Sequence, residues 1–173
     1  SELKKRILIT LILLFCFSLS TTYCQTPERN EIVTERHSNG LKKLVLIFEG
    51  TGINESLIGK YGFYDNGLKA FVESYKENKK DGESIYWYKN GQKEYRGNYK
   101  DGEADGLYTG WHKNGQKMEE GTNKDGKIVG VWTWWYDNGQ KKYERTYKDR
   151  EMISAKCWFE DGNEMDCPGW MME

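Results

Sequence analysis

The chain consists of short runs in which apolar and polar residues alternate, and a turn signal ends each run. The turn pair Asn-Gly, or Asp-Gly in its last occurrence, recurs at spacings of 27, 24, 24, 24 and 23 residues. Its glycines are Gly40, Gly67, Gly91, Gly115, Gly139 and Gly162. Asn-Gly between strand-like runs is a strong hairpin signal, because glycine tolerates the positive φ that tight hairpin turns require. The pattern therefore predicts β-hairpins.

A second turn signal divides each repeat, as at residues 99–102, 123–126 and 147–150. Each unit of about 24 residues thus holds two strands of about six to eight residues, which is the usual strand length. A single hairpin is marginal in water, so neighbouring hairpins must pair edge to edge. We predict an all-β fold, a single-layer antiparallel meander of about six tandem β-hairpin repeats with a period near 24 residues.

Aromatic residues recur in step with the turns. One stands four residues before each glycine from the second onward: Phe63, Trp87, Trp111, Trp135 and Trp158. The following position holds Tyr64, Tyr88, His112, Tyr136 and Phe159. Alternation along residues 131–136 places Trp132 and Trp134 on one face of the sheet and Trp135 on the other. Both faces of the sheet are therefore expected to carry large apolar side chains, unlike a sheet that has one apolar and one polar face.

The first 24 residues differ from the rest. Lys4, Lys5 and Arg6 precede an almost wholly apolar run at residues 7–19. That run is shorter than the about 20 residues that a membrane-spanning helix needs. These features are typical of a secretory signal, so we expect residues 1–24 to be cleaved and the protein to be exported. Its location would be periplasmic, outer-surface or secreted, with a lipid anchor as the alternative to plain cleavage.

Composition narrows the function classes. The 173 residues include 26 basic and 27 acidic side chains, for a net charge of -1. This near balance disfavours a nucleic-acid partner. The 7 tryptophans, 12 tyrosines and 6 phenylalanines supply enough apolar surface to argue against a disordered chain.

Two cysteines flank the last turn. Loss of the signal would leave Cys157 and Cys167 in a compartment where disulfides persist. If the loop is residues 161–163, the two cysteines lie directly opposite each other. If it is residues 160–162, they are two residues out of register but still on one face. Either register predicts a disulfide, with free thiols as the alternative. Two cysteines and distant histidines are too few for zinc, so we predict no metal and no cofactor.

The unit Asp-Gly-x3-Gly-x4-Trp-Tyr-x-Asn-Gly-Gln-Lys, seen nearly in full at residues 125–141, resembles the MORN repeat variant (MORN type 2). Bacterial proteins with this repeat are often labelled YwqK-type antitoxins. The resemblance covers about residues 31–173 and implies a meandering sheet used for structure or protein contact. Divergent end units indicate caps. We expect a divergent N-terminal repeat or cap at residues 25–58, core repeats at 59–154 and a C-terminal capping hairpin at 155–173.

The aromatic ladder is the candidate binding site. Exposed rings could stack on sugars or on choline, and the residues concerned are Trp87, Tyr88, Trp111, Trp135, Tyr136 and Trp158. Alternatively, the rings could pack between adjacent hairpins. A glycan-binding module should expose the tryptophans at positions 87, 111 and 135, whereas a protein-binding scaffold should bury them.

Catalysis is the least supported class. We find no serine nucleophile motif, phosphate loop or zinc signature. His112 stands in a column of tyrosine and phenylalanine, which favours a repeat variant over a catalytic base. The acidic run at residues 101–105 resembles half a calcium loop, but His112 occupies the position of its bidentate glutamate. We predict a non-enzyme that binds another protein, with a cell-envelope glycan or choline as the alternative ligand and a toxin as the second. No membrane span is expected after cleavage.

Overall fold

The structure is a computed structural model that describes residues 28–169, so the predicted signal sequence lies outside the described residues. One 13-stranded antiparallel sheet accounts for nearly all regular structure in this range. The strands are β1 (Arg29–Arg36), β2 (Lys42–Glu49), β3 (Ser56–Phe63), β4 (Lys69–Lys76), β5 (Lys79–Trp87), β6 (Lys93–Lys100), β7 (Glu103–Ala104), β8 (Gly106–Trp111), β9 (Lys117–Lys124), β10 (Lys127–Trp135), β11 (Lys141–Lys148), β12 (Glu151–Trp158) and β13 (Glu164–Met165). A short 3-10 helix, Gly52–Asn54, joins β2 to β3.

The strands follow one another across the sheet in chain order. The one departure from this order among the described strands is β7, which pairs with β6 beside β8. Between these two short strands, the Asp105 amide donates to the Asn98 carbonyl at 2.9 Å. The sequential antiparallel order confirms the predicted single-layer meander of tandem hairpins.

The Asn-Gly turns are three-residue loops closed by a bulge. At residues 88–92, the Gly91 amide donates to the Tyr88 carbonyl at 2.9 Å, and the Tyr88 amide donates to the Gln92 carbonyl at 2.8 Å. Gly91 has a φ of 86°. A type I turn followed by a left-handed glycine is the usual three-residue hairpin, and it shifts the register of the paired strands by one residue. The shift falls between Tyr86 and Trp87.

In the repeats after the first, the second turn has two residues, both with positive φ. The pairs are Glu77 and Asn78, Asp101 and Gly102, Asp125 and Gly126, and Asp149 and Arg150. This geometry is a type I′ turn, whose twist matches that of the flanking strands. Both turn types predicted from glycine spacing therefore exist, at the predicted positions.

A single layer leaves little room for an interior. Among the described residues, Val45, Trp132 and Cys157 are the buried apolar residues. Trp132 lies flat over the neighbouring strand, where a Cβ on Gly121 would stand 2.1 Å from its ring. Aromatic rings packed on glycine backbone thus replace the second layer that a sandwich would provide.

The last hairpin carries the predicted disulfide between Cys157 and Cys167, with a Cα–Cα distance of 5.2 Å. The Phe159 amide donates to the Asn163 carbonyl at 2.8 Å, so the loop is residues 160–162. Cys157 therefore pairs with Met165, two residues before Cys167. Of the two registers open from sequence, the staggered one is correct.

Candidate functional site

One face of the sheet, here called the stacked face, carries a run of aromatic rings that extends from β4 to β11. Neighbouring ring centroids are 4.4 to 5.7 Å apart. The members are Phe71, Tyr86, Tyr95, Tyr108, Trp132, Trp134 and Tyr143. Sequence reasoning missed this run as a unit, although Phe71, Tyr95 and Tyr143 each stand four residues after a turn glycine.

A buried carboxylate lies at one end of this run. Glu73 is 5% exposed. Its Oε1 accepts hydrogen bonds from the Tyr86 hydroxyl and, at 2.6 Å, from Lys80 Nζ, while its Oε2 accepts one from the Tyr75 hydroxyl at 2.9 Å. Burial alone would raise the pKa of Glu73, but the bonds from Lys80, Tyr86 and Tyr75 outweigh it and hold the pKa below its usual value. The carboxylate is therefore ionised and fully paired.

The tyrosines around Glu73 respond in the opposite direction. Burial and then the hydrogen bond to Glu73 raise the pKa of Tyr75 to about 12. The same two causes raise the pKa of Tyr86. Neutral phenols donating to an ionised carboxylate form a stable network, with no group poised to exchange a proton near neutral pH. The cluster is suited to holding β4 and β5 together.

The predicted binding tryptophans lie on the opposite face and form what we call the tryptophan column, namely Trp87, Trp111, Trp135 and Trp158. All four are half-buried. This lies between the exposure expected of a glycan-binding module and the burial expected of a protein-binding scaffold. Lysines from the preceding repeat lie over three of these rings. Lys93 Nζ is 5.6 Å from the Trp111 centroid, and Lys117 Nζ is 5.5 Å from that of Trp135. Lys141 repeats the contact at 5.3 Å over Trp158.

The position three residues before the turn glycine links one repeat to the next in every turn from Gly40 to Gly139. The Tyr88 hydroxyl donates to the Trp111 carbonyl at 2.7 Å, and the Tyr136 hydroxyl to the Trp158 carbonyl at 3.0 Å. His112 makes the same contact through Nε2, 3.0 Å from the Trp135 carbonyl. Tyr64 and His37 repeat it at 2.6 and 2.8 Å from the carbonyls of Trp87 and Phe63. The predicted binding residues Tyr88 and Tyr136 thus hold neighbouring turns together.

The turn asparagines form a parallel ladder. The side-chain amide of Asn90 donates to the Lys113 carbonyl at 3.0 Å, and that of Asn114 to the Asp137 carbonyl at 2.6 Å. The same bond joins Asn39 to Asp65, Asn66 to Lys89 and Asn138 to Glu160. Each Asn side-chain oxygen also caps its own turn, as Asn90 Oδ1 does for the Gln92 amide at 3.0 Å. Asparagine therefore serves both its own turn and the next repeat.

A cavity of about 290 Å³ opens beside the last repeats. Its walls include Tyr136, Lys142, Tyr143, Arg145, Met165 and Pro168. The Arg145 guanidinium carbon lies 5.3 Å from the Tyr143 ring centroid and 6.0 Å from that of Trp134. Its Nε is buried and has no hydrogen-bond partner among the described residues. None of the sequence-predicted candidates pointed to Arg145.

Residues 28–169 contain no group of three or more His, Cys, Asp or Glu side chains placed to hold a metal ion. They also contain no helix of the length and hydropathy needed to cross a membrane.

The two-turn unit, its aromatic positions and its interlocked turns define the repeat. Two segments match the MORN repeat variant. They are residues 80–101 and 128–149, and each begins in the first strand of a hairpin and ends in the two-residue turn after the second. The first match spans β5 and β6, and the second spans β10 and β11, each from the second residue of its first strand. No curated protein matches the chain significantly.

Proposed function

We propose that this protein is a non-catalytic, exported repeat module of the cell envelope that binds another protein and acts as a scaffold. The observation that carries the proposal is the open sheet, which leaves apolar side chains exposed on an extended surface. Leu107 and Val131 are each 52% exposed and lie on the face of the tryptophan column. A broad surface of this kind suits a macromolecular partner.

The polar groups support a non-catalytic role. Glu73 is enclosed by three donors, and His37 and His112 hold neighbouring turns together. General acid–base catalysis needs such groups free to reach a substrate. Here they are committed to contacts between strands and repeats.

The disulfide supports export. The bond between Cys157 and Cys167 is of a kind that persists in oxidising compartments. It agrees with the signal-like pattern of residues 1–24, which we therefore include in the proposal. Cysteine labelling of protein recovered from the periplasm and the medium, with and without prior reduction, tests this step.

The binding proposal is tested by cross-linking the intact protein in envelope extracts and mapping the cross-links. Leu107→Glu and Val131→Glu place charge on the proposed surface. Ile53→Glu is the matched control, because Ile53 is 101% exposed and lies in the β2–β3 connection. We expect the first two variants to lose the partner and the control to keep it, with all three melting like the wild type. Equal capture by all variants would contradict the proposal.

A glycan-binding function is the second candidate, because the tryptophans of the column are partly exposed. Tryptophan fluorescence with iodide quenching, before and after adding peptidoglycan fragments, soluble glycans or choline, distinguishes it. Choline is disfavoured because ammonium groups already lie over Trp111, Trp135 and Trp158. Protection of the tryptophans by a glycan would replace our first proposal with this one.

An antitoxin-like role is a special case of protein binding. It requires that the captured partner be toxic in the compartment that the protein occupies. Expressing the captured partner with and without this protein tests that role.

A further inference from the structure

The cavity beside the last repeats contains a cationic side chain, Arg145, at a position where the preceding repeats have none. Arg145 occupies the position six residues after a turn glycine, where the two preceding repeats carry Gly97 and Gly121. These glycines leave room for aromatic rings, as Gly121 does for Trp132. Arg145 instead places a long cationic side chain on the stacked face.

The cations of this cavity are not neutralised within the described residues. Neither Arg145 nor Lys142 forms an ion pair there. Glu119, a carboxylate on the same face, accepts hydrogen bonds from Trp134 Nε1 at 2.8 Å and from the Tyr108 hydroxyl at 3.1 Å instead. A buried guanidinium nitrogen without an acceptor is costly unless a ligand supplies one.

The remaining walls define the ligand. Tyr136, Tyr143, Met165 and Pro168 offer ring and apolar surface around the two cations. A guanidinium fork matches the geometry of a carboxylate. An anion attached to an apolar body therefore fits, whereas a quaternary ammonium ion would be repelled.

We propose that this cavity binds an acidic side chain of a partner polypeptide, with the Arg145 guanidinium donating hydrogen bonds to the carboxylate and the apolar walls contacting the neighbouring side chain. The proposal rests on the protein-binding function above. The size of the cavity favours a single side chain, because its volume of about 290 Å³ lies just below the usual range for sites that enclose a whole small ligand. The disulfide fixes the hairpin that forms one wall, so little ordering is required on binding.

The test uses the full-length, oxidised protein and two blocked dipeptides, acetyl-Glu-Phe-amide and acetyl-Gln-Phe-amide. Nuclear magnetic resonance follows the Arg145 Nε–H signal, which reports on the buried nitrogen directly. We expect the Glu peptide to shift this signal and to bind at least about tenfold more tightly than the Gln peptide, as a charged hydrogen bond implies. Equal shifts, or no shift at millimolar peptide, would overturn the proposal.

Variants sharpen the result. Arg145→Gln should abolish the preference for the Glu peptide, and Lys142→Gln, a change at an exposed position, should weaken Glu-peptide binding by up to about fivefold. Arg96→Gln is the control, because Arg96 pairs with Glu83 on the opposite face and should change nothing. An effect of Arg96→Gln equal to that of Arg145→Gln would count against the site. Should Arg145→Gln fail to fold, Lys142→Gln and the wild-type titration still decide.

Two outcomes separate this inference from the protein-binding function. A partner captured equally by wild type and by Lys142→Gln and Arg145→Gln would leave that function standing and overturn the cavity as its anchor. Tighter binding of a uronic-acid oligosaccharide than of the Glu peptide would overturn the assignment to a polypeptide.

Discussion

The inner turns of the array and its last turn share one backbone geometry but differ at two side chains. In an inner turn, Tyr88 and Asn90 both donate to carbonyls of the next repeat. The last turn carries Phe159 and Asp161 at these positions, and neither has a side-chain donor when the aspartate is ionised. No further turn follows among the described residues. The recurring tyrosine and asparagine are therefore explained by contacts between repeats.

The difference lies mainly in the outward contact, although Asp161 Oδ2 also accepts a hydrogen bond from the Asn163 side-chain amide at 2.9 Å. Asp161 Oδ1 accepts from the Asn163 amide at 2.9 Å, just as Asn90 Oδ1 accepts from the Gln92 amide at 3.0 Å. Both side chains cap their own turns equally well. What the last turn lacks is the amide donor and the hydroxyl, which agrees with the capping role that we propose for residues 155–173.

The largest expected effect comes from removing the disulfide. The last hairpin pairs just two residues of β12 with β13, whereas inner hairpins such as β5–β6 pair six. Replacing Cys157 and Cys167 by alanine should lower the stability of this hairpin by about 2–3 kcal/mol. Because repeats contact mainly their neighbours, hydrogen exchange should accelerate in β12 and β13 and stay unchanged in β3–β6. A uniform loss of protection would contradict the comparison.

Exchanging the turn residues tests the asparagine ladder directly. Asn114→Asp keeps the turn cap but loses the bond to the Asp137 carbonyl, so we expect a loss of about 1–2 kcal/mol in urea unfolding. Asp161→Asn is the matched control and should change stability by less than about 0.5 kcal/mol. Equal effects of the two changes would mean that the turn itself, rather than the next repeat, requires asparagine.

The hydroxyl contact should have a smaller effect. Tyr88→Phe removes the bond to the Trp111 carbonyl and nothing else, so we expect a loss of about 1 kcal/mol. Phe159→Tyr adds a hydroxyl where no further turn follows among the described residues to accept it, as the Trp111 carbonyl accepts that of Tyr88, and its melting temperature should match the wild type. A similar loss from both variants would show that ring polarity, not the contact between repeats, sets stability.

The fold was predictable because its signals are local. Positive φ at Gly91 and its counterparts fixes the turns, and alternation places Cys157 and Cys167 on one face in either register. The partial burial of the tryptophan column was not predicted, and neither were the contacts of Lys93 and its counterparts with rings of the next repeat, because local sequence signals do not carry contacts between repeats. Arg145 was not predicted as a site residue, because it stands where the two preceding repeats have glycine and because its contact with Trp134 comes from another strand.

The smallest expected effect concerns the two-residue turns. Arg150 has a φ of 75° at the position where Gly102 and Gly126 stand with φ of 96° and 72°. A left-handed conformation costs an arginine free energy that glycine avoids. Arg150→Gly should therefore raise stability by about 0.5–1 kcal/mol, measured as a shift in the urea midpoint. The reverse exchange, Gly126→Arg, should lower it by a similar amount, because a Cβ there meets Glu103 atoms at no less than 3.6 Å. A gain from Arg150→Gly without a matching loss from Gly126→Arg would contradict this account, because the cost of a left-handed arginine would then depend on the repeat and not on the turn.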